Sequence, residues 1–173
     1  MAQQQRLTVS IRPWSEQDFP ILERLMGDPV KTGTGALDQV RTRHERFLRS
    51  GETSRQGPMF AITLGPAGQT VGTIGYWQRL WQGQHLWEIG WSVLPEFQGR
   101  GIAARAIELL ADRARGLGRF RFLHAFPAAD NEAANGICRA AGFELVGQIE
   151  LNLPAGHTLL RNDWRLNLLK GID

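Results

Sequence analysis

The sequence contains only one cysteine among its 173 residues, and it has no long apolar run. A lone cysteine, Cys138, cannot form an intramolecular disulfide, which is typical of a reducing compartment. No stretch of about eighteen apolar residues occurs, so the sequence predicts no membrane-spanning helix and no membrane partner. The first residues, 1–6, lack the apolar core of a secretion signal. We therefore expect a cytoplasmic protein.

Repeats, low-complexity stretches and a linker that would divide the chain are also missing. Hydrophobic residues make up 42% of the chain and charged residues 21%, proportions that are typical of a globular protein and exclude a disordered one. A length of 173 residues is enough for one domain with a hydrophobic core and short for two. The sequence therefore predicts a single domain over residues 1–173.

Positive charge is concentrated in one segment. The net charge of the chain is +3, and residues 96–121 alone hold six arginines against three acidic residues. Such a zone suits a phosphate-bearing partner, although charge alone favours the plainer interpretation of a solvated helix face. The sequence has no basic motif interleaved with aromatic residues, so we expect no nucleic-acid partner.

Hydrophobic periodicity predicts the element order β-α-α-β-β-β-α-β-α-β-β, which is an α/β or α+β sheet with helices on both faces. The strand–loop–helix–strand unit over residues 86–126 predicts one parallel strand pair. The first helix is predicted to begin at Ser15 or Asp18, and Gly142 to end the last one in a left-handed conformation. Strands are predicted at residues 7–13, 59–64, 70–77, 86–93, 119–126, 143–151 and 158–168, and the later helices at 36–49, 101–116 and 130–141.

A glycine-rich loop joins the strand at 86–93 to the helix at 101–116, with the sequence Gln98-Gly99-Arg100-Gly101-Ile102-Ala103. Its glycines lack a Cβ, so a ligand can approach the backbone closely. The first amides of a helix have no internal partner and lie at the positive end of the helix dipole. The loop therefore predicts a phosphate or pyrophosphate site, to which Arg100 and Arg105 could add hydrogen bonds. The alternative is a plain strand-to-helix turn.

Two common phosphate-binding motifs do not fit this loop. No Gly-Lys-Ser/Thr follows it, which disfavours a nucleoside triphosphate site of the Walker type. A dinucleotide-binding Rossmann unit is disfavoured as well, because the third glycine is absent and the strand follows a β-hairpin.

Three segments of the chain resemble the GNAT superfamily of acetyltransferases. Gln98-x-x-Gly101-x-Ala103 matches its Gln/Arg-x-x-Gly-x-Gly/Ala signature, and residues 88–95 are similar to its fourth strand. Asn131-x-x-Ala134 followed by Ala141-Gly142-Phe143 resembles the Asn-x-x-Ser…Gly-Phe segment of its next helix, and points to the branch of ribosomal-protein alanine N-acetyltransferases. The order of elements agrees over nearly the whole chain, which implies a mixed, mostly antiparallel sheet of about seven strands.

The resemblance implies acetyl-CoA as the acyl donor and a primary amine as the acceptor. The backbone near Val93 would pair with the pantetheine arm. Asn131 matches the family asparagine that anchors the cofactor near the thioester, with Asn135 assisting one turn later; Asn131 is equally well placed as a helix cap. No metal is implied. The loop residues implied in pyrophosphate binding are Gln98, Gly99, Arg100, Gly101, Ile102 and Ala103.

Glu88 is the first candidate for the base that takes the proton of the amine. Its strand leads into the cofactor loop, and apolar neighbours would raise the pKa of a carboxyl group toward a useful value. Some family members use a glutamate at this strand position. The alternative is a sheet-face glutamate paired with an arginine or with solvent. Other candidates are Glu150, Asp163 and His124, although a lone histidine in a strand is more often structural.

The chain departs from the family in its leaving-group acid. Many members protonate the thiolate with a tyrosine, but the single tyrosine here, Tyr76, lies in an earlier strand. The suspected branch has a serine at the position of Ala134, and alanine has no proton to donate. Cys138 lies on an apolar helix stripe, where a structural thiol is the more usual interpretation. Water is the remaining proton donor.

The acceptor is constrained only as an amine of a small molecule or of a peptide or protein N-terminus. The segments 27–37 and 78–85 are expected to flank its cleft. Trp77, Trp81 and Trp87 could line that cleft, or could instead belong to the core or to a homodimer contact. A non-catalytic acyl-CoA-binding sensor with the same fold is the alternative function, since the tyrosine and the serine are missing.

Overall fold

The computed structural model describes residues 8–27, 34–51 and 57–170. Its centre is one seven-stranded sheet with the strand order β1-β2-β3-β4-β5-β7-β6. All neighbouring strands are antiparallel except β4 and β5, which are parallel, as the sequence predicts. The strands are β1 (Val9–Pro13), β2 (Met59–Leu64), β3 (Gln69–Trp81), β4 (Gln84–Val93), β5 (Phe122–Ala125), β6 (Glu144–Asn152) and β7 (Thr158–Asn167).

Helices cover both faces of the sheet, because alternate strand residues carry apolar side chains to each side. On β2, Ile62 belongs to the large core under the third and fourth helices, whereas Ala61 belongs to a smaller core under the first two. No helix in the described ranges has both the length and the apolar character needed to span a bilayer. The helices are α1 (Phe19–Met26), α2 (Thr34–Arg49), α3 (Ile102–Leu117) and α4 (Glu132–Ala140).

The predicted alternation along β4 is confirmed. Trp87, Ile89 and Val93 are buried in the large core beneath α3. Glu88 stands on the opposite face, opposite Trp77 of β3 and His124 of β5. This register places one carboxylate at the point where the sheet changes from antiparallel to parallel pairing.

The prediction of a loop over residues 78–85 is wrong. Strands β3 and β4 continue to Trp81 and from Gln84, and only two residues, Gln82 and Gly83, turn the chain. Both have positive φ, 49° and 76°, the pairing that a tight two-residue hairpin needs to match the strand twist. The sequence does predict a turn at residues 82–84, but Gln-Gly is a weaker hairpin signal than Asn-Gly, so the pattern does not predict that the strands reach this turn. Of the other expected acceptor segment, 27–37, residues 28–33 lie outside the described part of the chain.

Asp18 ties the start of α1 to the sheet. Both carboxylate oxygens accept from Arg12 at 2.8 Å, Ser15 N donates at 2.9 Å, and Thr70 Oγ1 lies 3.1 Å away. Burial alone would raise the pKa of Asp18, but the hydrogen bonds from Arg12 and Ser15 outweigh it and hold the pKa below its usual value. The ionised carboxylate therefore stabilises the folded state.

Replacing Asp18 by asparagine should lower the free energy of unfolding at pH 7 by about 2 kcal/mol, since charge-assisted bonds are lost. A lowered folded pKa contributes stability above the unfolded pKa, about 3.9, and loses it as the pH falls toward the folded value. The difference in the free energy of unfolding between the parent protein and Asp18→Asn should therefore shrink below about pH 4. Urea unfolding at pH 7 and pH 3 measures it. Glu16→Gln, at an exposed neighbour, is the control, and a pH-independent difference would contradict the assignment.

Candidate active site

A cavity of about 940 Å³ opens where β4, the start of α3 and the start of α4 meet. One wall is the end of β4, from Glu88 to Val93, and another is the glycine-rich loop with the first residues of α3. The segment after β5 and the first turns of α4 form the opposite wall. The structure thus brings the predicted loop, the predicted base and the predicted asparagine to one cavity.

The glycine-rich loop ends in free backbone amides. The first backbone bond of α3 runs from Arg105 N to Gly101 O at 3.1 Å. The amides of residues 99–104 ahead of it have no acceptor among the described residues. Gly99 and Gly101 have φ of 72° and 74°, a left-handed conformation that favours glycine, and open space surrounds both. The amides and the helix dipole together make a site for an anion.

A gap opens between β4 and β5. The two strands pair only through Trp87 with Leu123 and Glu88 with His124, and then separate. Leu94 N donates to Val71 O on the β3 side at 2.9 Å. Because backbone groups alternate between the two edges of a strand, those of Ile89, Trp91 and Val93 face the gap. An extended ligand arm could pair with this edge as an additional strand would.

Gln98 has a role within the fold. Its Nε2 donates to the carbonyl of Val93 at 2.9 Å, which closes the loop against the end of β4. One acceptor position at Val93, the residue expected to pair with pantetheine, is therefore occupied by the protein itself.

The other loop residues differ in exposure. Arg100 is exposed, and its Cζ lies 5.6 Å from the centre of the Phe97 ring. Ile102 and Ala103 are buried, so their side chains anchor the helix start while their amides remain at the cavity. Arg105 is paired with Glu108 at 2.7 Å on the exposed face of α3.

Asn131 caps α4, since its Oδ1 accepts from Ala134 N at 3.1 Å. Its Nδ2 has no partner among the described residues, and the side chain lines the cavity. Asn135 is buried: Nδ2 donates to Asn131 O at 2.7 Å, and Oδ1 accepts from Asn162 and Trp164. Asn135 therefore holds the segment that carries Asn131 against β7.

Glu88 lies in a polar setting, which differs from the apolar one expected. Its Oε2 accepts from Trp77 Nε1 at 3.0 Å and from Arg79 Nη1 at 2.8 Å. The hairpin register places both donors opposite or diagonal to it on β3. The side chain is only 16% exposed and it lines the cavity. A half-buried carboxylate with two donors on one oxygen retains the other oxygen for a ligand.

The chain belongs to the GNAT acetyltransferases. The family model for the acetyltransferase (GNAT) domain matches residues 8–144, which is most of the chain. A comparison with curated protein sequences gave no match.

Solved structures share this GNAT fold over nearly their whole length. An aminoglycoside acetyltransferase AAC(6')-Ib in complex with coenzyme A has a TM-score of 0.72 at 18% identity, with 92% of this chain and 95% of that chain covered. The ribosomal-protein-S5-alanine acetyltransferase from Vibrio fischeri has a TM-score of 0.72 at 17% identity, with 94% of each chain covered. RimL, a ribosomal L7/L12 α-N-protein acetyltransferase in complex with coenzyme A, has a TM-score of 0.72 at 19% identity, with 92% of this chain and 94% of that chain covered.

The three tryptophans considered for the acceptor cleft lie in three different places in this GNAT chain. Trp77 lines the cavity and covers Gly90, where an added Cβ would lie 2.7 Å from the indole ring. Trp87 belongs to the core, with its ring 4.8 Å from Tyr76, which is the core alternative expected for these tryptophans. Trp81 packs on Phe126 at 5.2 Å and lines a separate cavity of about 170 Å³.

The other acid–base candidates lie apart from the large cavity. Glu150 is exposed on β6, at the edge of the sheet. His124 and Asp163 are buried and bonded to each other, with 2.6 Å between Nδ1 and Oδ1. They line the smaller cavity.

The remaining polar groups of the family pattern are inert or absent. Tyr76 is fully buried in the core and does not line the cavity. Burial raises the pKa of the Cys138 thiol to about 12, so this thiol stays protonated at neutral pH.

Sequence reasoning missed Arg161, an arginine on β7 that also lines the cavity. Its Nη1 donates to Phe126 O at 2.7 Å, which holds the segment after β5 in place. No local motif marks it, because its position depends on the pairing of β7 with distant parts of the chain.

Proposed function

We infer that this protein is an acetyl-CoA-dependent N-acetyltransferase that transfers an acetyl group to a primary amine. The parting of β4 and β5 beyond Glu88 carries the proposal, because it exposes a strand edge that leads directly to the free amides at the start of α3. A donor with an extended arm and a diphosphate needs both features in this order. The solved GNAT structures with coenzyme A support the same donor.

The donor-binding residues are those of the loop, the β4 edge and the α4 cap. The diphosphate lies on the amides of residues 99–103, and the pantetheine arm follows the backbone of Ile89, Trp91 and Val93. Asn131 offers its free Nδ2 to the arm, and Asn135 keeps Asn131 in place. Gln98 supports the site by closing the loop, and Arg100 supplies positive charge at the exposed rim.

Transfer proceeds by direct attack of the amine on the thioester carbon. The C–N bond forms, the C–S bond breaks, the amine nitrogen loses one proton and the thiolate gains one. Glu88 accepts the amine proton at Oε1, directly or through one water. The thiolate takes its proton from water, because neither Tyr76 nor Ala134 can supply one at the cavity, and the hydroxide that remains takes up the proton held by Glu88. Holding the two reactants together provides much of the acceleration.

Calorimetry and thiol release test this function. Acetyl-CoA at one hundred times its dissociation constant should stabilise the protein by about 2.7 kcal/mol and raise its melting temperature. Adding amines should release free thiol at a rate above that of hydrolysis, and the buried Cys138 adds no background to a thiol reagent. No heat of association with acetyl-CoA or coenzyme A would overturn the proposal.

A non-catalytic acyl-CoA sensor is the second candidate. It is favoured by the bonding of Glu88, whose Oε2 is already held by Arg79 and Trp77, and by Ala134 in place of a proton donor. The same experiment separates the two functions. Binding of acetyl-CoA without thiol release by any amine of a broad panel supports the sensor.

A further inference from the structure

Arg79 lies beside the proposed acceptor position and is held there on several sides. Its Cζ lies 4.6 Å from the centre of the Phe126 ring and 5.2 Å from that of Trp81. Its Nη1 donates to Glu88 Oε2 at 2.8 Å. Glu88 and Phe126 line the large cavity, and the guanidinium lies behind them; Arg79 is not itself among the lining residues. Contacts with two rings and a carboxylate restrict the side chain to one position.

The pair of Arg79 and Glu88 retains unused hydrogen-bonding groups. The Nε and Nη2 of Arg79 have no partner among the described residues, and its side chain is 29% exposed. Both donors to Glu88 use the same oxygen, and Oε1 accepts from no described residue. An arginine with two free nitrogens matches a carboxylate, while a free carboxylate oxygen matches an ammonium group.

The surrounding charges disfavour a polycationic acceptor. Glu88 is already paired with Arg79, and Asp163 is bonded to His124 and to Trp81 Nε1. Among the described residues, the large cavity itself is lined by one cation, Arg161, and by Glu88 and the exposed Glu132. A polyamine would meet these cations without an unpaired acid to offset them, apart from the exposed Glu132 on α4.

We propose that the acceptor is an amino acid or a molecule of the same class, in which an amine and a free carboxylate are separated by one or two carbons. The acceptor carboxylate binds Nε and Nη2 of Arg79, and the acceptor amine lies at Glu88 Oε1. The 2.8 Å contact between Arg79 and Glu88 sets the short separation of the two groups. This inference rests on the proposed function, since Glu88 is the group that faces the amine there.

A paired panel tests the substrate class. Each free amino acid is compared with its carboxamide and with the amine that lacks the carboxylate, by thiol release from acetyl-CoA. The free acids should show kcat/KM at least tenfold above their carboxamides. Arg79→Gln should remove this preference, so that kcat/KM for the acids falls at least tenfold relative to kcat/KM for their carboxamides, mainly through KM. Arg79→Lys should restore part of the preference.

Arg49→Gln is the matched control, because Arg49 is exposed on α2 and paired with Glu45 in the same way. This variant should leave kcat/KM unchanged both for the free acids and for their carboxamides. The inference is overturned if carboxamides or polyamines are turned over as efficiently as the free acids, or if Arg79→Gln keeps the preference for the acids. Either result leaves the N-acetyltransferase proposal standing. If no amine is turned over, calorimetry with coenzyme A present decides: an absence of heat from every amino acid also overturns it.

Discussion

Replacing Glu88 by glutamine is expected to lower kcat roughly 100- to 1000-fold, the usual contribution of a positioned general base. Glutamine has nearly the same shape, and its side-chain carbonyl can still accept from Trp77 Nε1 and Arg79 Nη1, the two donors in the structure. The fold and the affinity for acetyl-CoA should therefore remain close to those of the parent protein. Single-turnover thiol release measures the chemical step, and calorimetry measures the affinity.

Glu150→Gln is the control for this experiment. Glu150 is a glutamate in the same sheet, but it is exposed on the edge strand β6 and does not line the large cavity. Its replacement should leave kcat unchanged. A loss of activity in Glu150→Gln together with full activity in Glu88→Gln would transfer the role of base to the edge strand.

Placing an aspartate at Gly101 should abolish most donor binding without unfolding the protein. Gly101 is the N-cap of α3 and has open space around it, and aspartate tolerates a left-handed backbone better than most residues. Its carboxylate would itself occupy the free amides and repel a diphosphate. Two unit charges about 5 Å apart at an effective dielectric constant of about 20 repel by about 3 kcal/mol, so the affinity for acetyl-CoA should fall roughly 100-fold.

Gly118→Asp is the matched control for the charge and for the backbone strain. Gly118 ends the same helix with φ of 61° in equally open space, far along the helix from the proposed donor site. Gly118→Asp should melt somewhat lower, because its carboxylate lies at the negative end of the helix dipole, but only Gly101→Asp should lose affinity in calorimetry. Equal affinity in the two variants would show that the diphosphate binds elsewhere.

The geometry of the glycine-rich loop was predictable because it is local. Two glycines before a helix are enough to define left-handed turns and free amides, and the positive φ of Gly99 and Gly101 agrees with that expectation. The alternation along β4 likewise identified the face that α3 covers. Each of these features depends on residues within one turn or one strand.

The acceptor half was less predictable, because it depends on registers between strands. The partners of Glu88 are Trp77 and Arg79, and their positions follow from a two-residue turn at Gln82 and Gly83 that the sequence marks only weakly. The same hairpin converted an expected loop into strand. In this register Trp87 lies in the core, whereas Trp77 lines the cavity.

The sequence by itself determined the helices, the succession of strands along the chain and the glycine-rich loop at the start of α3, since hydrophobic period and glycine act over short distances. The tertiary structure alone decided where β4 and β5 part, that Arg79 pairs with Glu88, and that Arg161 holds the segment after β5 at the cavity. The physical reason is that a strand register is set by long-range pairing. A shift of β3 or β7 by one residue would carry Arg79 or Arg161 to the other face of the sheet.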